Sequence, residues 1–422
     1  MNEITTPAEA KRHILPWFYG WNVIGVALLF QAFTVGIVIY SFALLVPPWM
    51  EEFAASRTEI MMANMIVVLG ITLLSPFVGR ALDSQSIRAI VTLGLLILAA
   101  GLAALSFANN FWLLVIGFGV VGALAMALAS TLAAQTLAAK WFRANLGLAM
   151  GLMPVGGSIG GFAIPPIVAY LVHAFGWRPT FLILSLVILV VGLPLVWLIV
   201  GNSPEDKGVE PEPAKPSSEP DETQESFPDW TLKLILTNRN YWITAIAFGF
   251  PFFVLNGIAA NFVLYAQDIG ITPQSAAFLI SILSIVTIIG KIFFGAMADR
   301  VDHRLLHYLG LACFALAVFL MIGTPSYGLM VLVASLIGFA GGGIIPMMGA
   351  VIGSRFGSAA FGRVMGIVYF ALIFNAFSSP IAGAIRDRFG SYDVFFQGAL
   401  VLMAISAIVI FWLPPLRRAP QN

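Results

Sequence analysis

About twelve apolar runs of some twenty residues each, parted by short polar breaks, confine this chain to a lipid bilayer. A bilayer core about 30 Å thick takes roughly 20 mostly apolar residues per helical crossing. Breaks at charges, Pro and Gly place the crossings near 18–46, 60–80, 88–108, 111–138, 145–173, 177–200, 240–267, 274–297, 304–323, 327–352, 362–385 and 391–414. Hydrophobic residues make up 60% of the chain and charged ones only 10%, with a mean hydropathy of +0.96, which excludes a soluble globular domain. The expected fold class is an all-α polytopic membrane protein.

Several chemistries are disfavoured by what the runs contain. Cys313 is the single cysteine and lies within a predicted crossing, so intrachain disulfides and cysteine-based metal sites are excluded. His13, His173, His303 and His307 fall at the ends of crossings or outside them, which argues against a histidine relay or a histidine-ligated metal. The hexapeptide Gly117 to Gly122 satisfies G-x-G-x-x-G, but it sits inside an apolar run with no preceding strand, so a dinucleotide site is not expected. Gly290-Lys291 is followed by Ile292 and lacks the earlier Gly of an ATP-binding loop. A net charge of +1 without a basic cluster gives no reason to expect nucleic acid as a partner. No nucleophile, base and orienting group stand together, so the chain is not read as an enzyme, and no cofactor is expected.

Orientation follows from Lys and Arg in the short loops. Arg80, Arg88, Lys140, Arg143, Arg300, Arg304, Arg355 and Arg363 fall on one side, with Lys11, Arg12, Arg417 and Arg418 at the termini; Arg57, Arg178, Arg386 and Arg388 fall on the other. Both termini are expected in the cytoplasm. The first crossing is too long for the apolar core of a cleaved signal peptide and is kept as a membrane helix.

Between Asn202 and Asp229 the composition turns to Pro, Ser and acid, too polar to bury a core of its own. This linker divides the chain into an N-terminal six-helix bundle (1–200), a linker (201–239) and a C-terminal six-helix bundle (240–422). The stretch after it, from Asp229 to Trp242, suits a short interfacial helix with Trp230, Leu232 and Ile235 toward lipid. The two parts repeat. Gly79 and Asp83 after crossing two match Gly295 and Asp299 after crossing eight; Gly147, Met150 and Gly151 match Gly362, Met365 and Gly366; Pro165 matches Pro380; and Phe175 to Phe181 matches Phe389 to Phe395.

A duplicated six-crossing unit joined by a polar linker is the organisation of secondary transporters that rock two bundles about a central site. GAMADRVDHR, Gly295 to Arg304, resembles the loop motif of the major facilitator superfamily, and GRALDSQSIR, Gly79 to Arg88, keeps its Gly and Asp with Ser84 where Arg is usual. Tyr19 to Trp21 and Lys140 to Leu152 are similar to segments of the monocarboxylate porters and the oxalate/formate antiporter-like proteins. In crossing eight those families place an Arg eight residues before the loop acid; here Lys291 stands there, with Gly295 and Asp299 following. The resemblance implies two pseudo-symmetric bundles, with Gly79, Asp83, Arg88, Gly295, Asp299, Arg300 and Arg304 as the loop motifs that gate transport. Two departures bear on mechanism. The porters' Asp four residues before that Arg is Thr287 here, and the antiporters' second cation in crossing eleven corresponds to a position near Leu372.

Lys291 is the only formally charged residue in the middle of a long apolar run, and a lone buried ammonium is costly, which marks it as functional. Ser284, Thr287, Lys291 and Gly295 share one helical face. At about 1.5 Å rise per residue Lys291 stands roughly 12 Å from Asp299, so its stem could also snorkel to the interface. Other inward candidates are Gln31 and Thr34 in crossing one, Thr131 and Gln135 in crossing four, Asn256 in crossing seven, and Tyr369 and Asn375 in crossing eleven. Each must find a partner in the bundle or face water, and each could equally join helices. Pro251, Asn256 and Gly257 could weaken crossing seven, whereas Pro154 to Gly161 reads as a close helix contact. Half-helix dipoles are not expected to contribute to the site.

The function these residues suggest is alternating-access transport of a small organic anion, first a monocarboxylate, across a bacterial inner membrane by a monomer. Whether a proton or a counter-anion is coupled stays open, because proton-coupled transporters commonly place an acid within a span and here the Asp and Glu residues lie in the terminus, the linker or near loop ends. A carrier of neutral or drug-like solutes with a structural Lys291, and a transporter-like sensor, stay open as alternatives.

Overall fold

The computed structural model describes residues 18–55, 57–209, 212, 230–323 and 325–415; the terminal cations Lys11, Arg12, Arg417 and Arg418, His13, and nearly all of the linker interior lie outside the described residues. All regular structure among the described residues is helical, and twelve crossings are long and apolar enough to span a membrane. Span one is α1 (Gly20–Val35), which passes through a π turn at Gly36–Tyr40 into α2 (Phe42–Phe53). Spans two and three are α3 (Arg57–Ser84) and α4 (Ile87–Leu105). Span four is broken into α5 (Phe111–Leu128) and α6 (Thr131–Trp141), and span five into α7 (Leu146–Leu152) and α8 (Val155–Phe175). Span six is α9 (Trp177–Val187), a π turn at Ile188–Gly192 and α10 (Leu193–Ile199). A short α11 (Leu232–Thr237) then leads into α12 (Arg239–Asp268), α13 (Pro273–Ala298), α14 (His303–Met321) and α15 (Tyr327–Phe356). Span eleven is α16 (Phe361–Ala371), a 3₁₀ stretch at Leu372–Phe377 and α17 (Ser378–Phe389), and span twelve is α18 (Asp393–Phe411).

Local chemistry sets many of the starts. The side-chain oxygens of Ser86, Asn110, Thr272 and Ser326 accept the N–H groups of Ala89, Leu113, Ser275 and Leu329, satisfying donors that the first turn of a helix leaves free. Once started, the helices are apolar nearly all round, because one face packs inside and the other is exposed. On α9 and the turn after it, Phe181 and Leu184 are buried while Leu182, Leu186 and Val190 stand out, which is the arrangement a lipid-facing helix needs. An aromatic cluster closes one end of the first six spans: Trp49 meets Phe118 edge-on at 5.6 Å and Trp177 meets Phe181 at 5.5 Å.

The first six spans meet the last six chiefly along two lines, α3 against α16 and α7 against α13, with α7 also touching α15 and α6 touching α16. Both lines run toward the end that carries Asp83 and Asp299. The far halves of the broken spans pack mainly at home, α17 on α12 and α18, and α8 on α1 and α9. The molecule is therefore closed at the loop-motif end.

Two expectations are corrected. Span seven is a single continuous helix despite Pro251, Asn256 and Gly257. Spans one and six instead carry π turns, and spans four, five and eleven are broken. Finally, α11 forms, but Trp230 and Ile235 turn toward protein: Trp230 lies 4.7 Å from the Phe356 ring and Ile235 is fully buried, while Leu232, Leu234 and Leu236 are exposed.

Candidate functional site

The two lines of contact are built by the same device. The Asp299 carboxylate accepts the N–H groups of Gly147 at 2.6 Å and Leu148 at 3.0 Å, and the Asp83 carboxylate accepts those of Gly362 at 2.8 Å and Arg363 at 2.6 Å. Each acid thus caps the first turn of a helix in the opposite half, where free N–H groups and the positive end of the helix dipole favour an anion. Glycine lets the backbones come this close. A Cβ on Gly295 would stand 2.6 Å from the Gly147 carbonyl oxygen, and one on Gly362 would stand 2.7 Å from that of Gly79.

Arg88 and Arg304 of the loop motifs have other partners. Arg88 stacks over Trp197 at 4.9 Å, and Arg304 folds back onto Asp302 at 3.1 Å. Burial pushes the Asp302 carboxyl up, but the hydrogen bonds and charge of Arg304 outweigh this and hold it below its usual value. Arg300 is exposed. The cation beside Asp83 is Lys140, whose Nζ donates to the Leu82 carbonyl at 2.8 Å and to that of Asp83 at 3.5 Å.

Lys291 lies one turn beyond Gly295 on the α7–α13 line. Its Nζ donates to the Pro154 carbonyl at 3.0 Å and to Ser158 Oγ at 2.7 Å, both in span five of the opposite half. These partners lie farther from the loops than Gly147 and Gly151, so the ammonium points into the membrane and does not snorkel toward Asp299. The ion pairs found among the described residues, Arg178–Glu52, Arg304–Asp302 and Arg386–Asp268, do not include it. In the first half Ser75 occupies the position that corresponds to Lys291, and its hydroxyl donates to the Gly366 carbonyl at 2.9 Å. The two lines therefore match in their glycines and acids and differ in charge at this one level.

Beside Lys291 a polar chain crosses the protein at the breaks. Gln31, fully buried, donates from Nε2 to the Met153 carbonyl at 2.5 Å and accepts at Oε1 from Thr131 at 3.3 Å. Thr34 donates to the Ala129 carbonyl at 2.9 Å, satisfying an acceptor at the break in span four. One turn along α6, Gln135 accepts from the Tyr369 hydroxyl at 3.1 Å and donates to the Ile345 carbonyl at 3.3 Å, reaching two spans of the opposite half. Gln31, Thr34, Thr131, Gln135, Tyr369 and Lys291 are thus brought to one region.

Four other candidates bond within their own spans. Thr287 and Ser284 donate to the carbonyls of Leu283 and Ile280 in their own helix, at 2.7 and 2.8 Å. Asn256 does the same to Phe252 at 2.9 Å, and Asn375 donates to Leu372 at 2.8 Å within the 3₁₀ stretch. In lipid a hydroxyl or amide without a neighbour turns back to the preceding turn of its helix.

Sequence reasoning passed over three groups. Ser158 and the Pro154 carbonyl lay in a stretch read as helix packing. That reading fits its glycines: a Cβ on Gly156 or Gly160 would stand 2.7 Å from Leu28 Cα or Ala32 Cα of α1. Glu212, in the linker, is buried and accepts the N–H groups of Arg143, Ala144 and Asn145 at 2.8, 2.8 and 3.2 Å and the Asn145 side-chain amide at 2.6 Å. Composition gave no sign that one linker acid among many would be placed in this way.

Twelve spans, two matched lines of contact and a polar centre define a multi-pass membrane transporter. The chain belongs to the major facilitator superfamily, whose family model matches residues 28–268 and 252–422; it is a transporter and not an enzyme. It is 25% identical to rat monocarboxylate transporter 12 over 437 residues, covering 97% of this chain and 88% of that one, and 27% identical to rat monocarboxylate transporter 13, covering 94% and 89%. Among solved structures it resembles the human organic anion transporter MFSD10 with a TM-score of 0.71 at 13% identity, covering 93% of this chain and 99% of the other.

Proposed function

We propose that this protein carries small organic anions, monocarboxylates first, across a bacterial inner membrane by alternating access, with Lys291 as the anion anchor. The observation that carries the reading is the placement of the Lys291 ammonium. It is held at membrane depth between the halves, beside a polar chain, with neutral acceptors and no carboxylate partner among the described residues. A cation in that position costs desolvation free energy that an arriving carboxylate offsets. Gln31, Thr131, Gln135 and Tyr369 supply polar groups to orient the rest of the solute. The relatives named as monocarboxylate transporters support the substrate class.

The cations Arg80, Arg88, Lys140, Arg143, Arg300, Arg304, Arg355 and Arg363 gather at the loop-motif end, which supports a cytoplasmic assignment for that end and for both termini. The closed loop end then corresponds to an outward-facing state. Reversal separates α3 from α16 and α7 from α13. With one cation at the centre, a monoanion is neutralised and a dianion is not. Coupling to protons needs no buried acid if Lys291 takes up and releases the proton together with the substrate carboxylate, and an inward proton gradient then drives uphill uptake into sealed vesicles.

The test is thermal stabilisation of the purified protein by acetate, pyruvate, lactate, benzoate and their amides, repeated on Lys291→Ala and Lys291→Arg. A ligand that binds the native state raises the melting temperature. Carboxylates but not amides should stabilise the wild type, and Lys291→Ala should lose the shift. An unchanged response of Lys291→Ala rejects the reading. A second reading, a carrier of neutral solutes in which Lys291 only ties the halves together, draws on its two existing acceptors and predicts stabilisation by the amides.

A further inference from the structure

Ser158 differs from the hydroxyl groups that bond within their own helices in that its oxygen accepts from the Lys291 ammonium. Thr136, Ser284, Thr287 and Ser335 each donate to the carbonyl four residues earlier in the same helix. The corresponding carbonyl for Ser158 is that of Pro154, which accepts instead from Lys291. Ser158 Oγ also accepts from Lys291, at 2.7 Å. An ammonium has donors only, so the hydroxyl proton takes no part in that bond, and among the described residues it has no acceptor. Lys291, for its part, has three N–H donors and uses two of them among the described residues.

One N–H of Lys291 and the O–H of Ser158 are therefore both unused, on adjacent heavy atoms that belong to opposite halves of the protein. Resting on the reading of Lys291 as anion anchor, we infer that Ser158 is a substrate-specificity residue: Lys291 and Ser158 together form a two-donor fork for the two oxygens of one carboxylate. Arginine brings such a fork on a single side chain, whereas a lone lysine is a point charge. Here the second prong comes from across the interface. The fork prefers a carboxylate to an amide, because an amide offers one strong acceptor and an N–H group that would face a donor. It also links binding to the conformational cycle. The pair exists while α7 and α13 are in contact and is broken when they part, so affinity falls as the closed end opens.

The experiment compares wild type with Ser158→Ala, Ser158→Thr and Lys291→Ala, using the same carboxylates and amides and reading dissociation constants from ligand-dependent melting. A hydrogen bond to a charged group is lost in Ser158→Ala, which should weaken carboxylate binding about tenfold. Ser158→Thr, which keeps the hydroxyl, should retain it. Wild-type affinity in Ser158→Ala, with binding abolished in Lys291→Ala, overturns the fork and leaves the anion anchor standing. A loss in Ser158→Thr as large as in Ser158→Ala overturns it as well, since packing then explains both. Carboxylate binding that survives Lys291→Ala, or no carboxylate binding by wild type, overturns the anchor and the fork together.

Discussion

Asp299→Ala should open the closed end of the protein without unfolding either half. The carboxylate accepts two N–H groups across the interface, from Gly147 at 2.6 Å and Leu148 at 3.0 Å. Removing a helix cap costs about 1 kcal/mol, and a hydrogen bond to a charged group contributes about 1.5–3 kcal/mol. Asp299 is partly exposed, which screens its charge and places the pair of bonds near the low end, about 1.5–2 kcal/mol in total. Since about 1.4 kcal/mol is a factor of ten, the ratio of closed to open molecules should fall roughly ten- to thirtyfold. Spin labels on Gln85 and Ser358, both exposed at that end and one in each half, report the distance between the halves once Cys313 is replaced by Ser. A longer-distance population should grow in Asp299→Ala. Asp302→Ala is the control, because among the described residues the Asp302 side chain bonds to Arg304 beside it and not across the interface. An unchanged distance distribution in Asp299→Ala, or an equal change in Asp302→Ala, would falsify the clamp.

Other substitutions probe the same architecture. Gly295→Val should abolish transport while leaving the protein folded and shifted toward the open population, because its Cβ meets backbone atoms of Gly147 and Gly151 that cannot rotate away; a transport assay in vesicles with the same label pair checks both effects. Glu212→Ala strips the acceptor from three N–H groups before α7, so amide hydrogen exchange at Arg143, Ala144 and Asn145 should accelerate at least tenfold, with no change at the α5 amides.

Much of this protein could be read from residue order because lipid leaves few choices. A run of some twenty apolar residues in a bilayer has to become a helix, so the number of spans and their rough limits follow from hydropathy. The repeat was equally plain, since Gly79, Asp83, Gly295 and Asp299 hold their spacing to the ends of the helices. Lys291 was legible as a candidate because a charge in an apolar run is an anomaly that no local rule explains.

What hydropathy could not convey was where helices break. The interruption at Ala129 and Ser130 lies among alanines and leucines, and the carbonyl it frees is satisfied by Thr34, distant in sequence and adjacent in space. Nor could it separate Thr287, which bonds to its own helix, from Gln135, which bridges the halves, since both are polar residues at helical spacing. The charge of Lys291 is a property of the chain. Its partners, Pro154 and Ser158, belong to the other half, and only the packing of α13 along span five brings them within hydrogen-bond distance. One-dimensional order carries the free energy of transfer into lipid, residue by residue. The hydrogen bonds that direct an ammonium depend on distances between helices, and tertiary packing alone sets those.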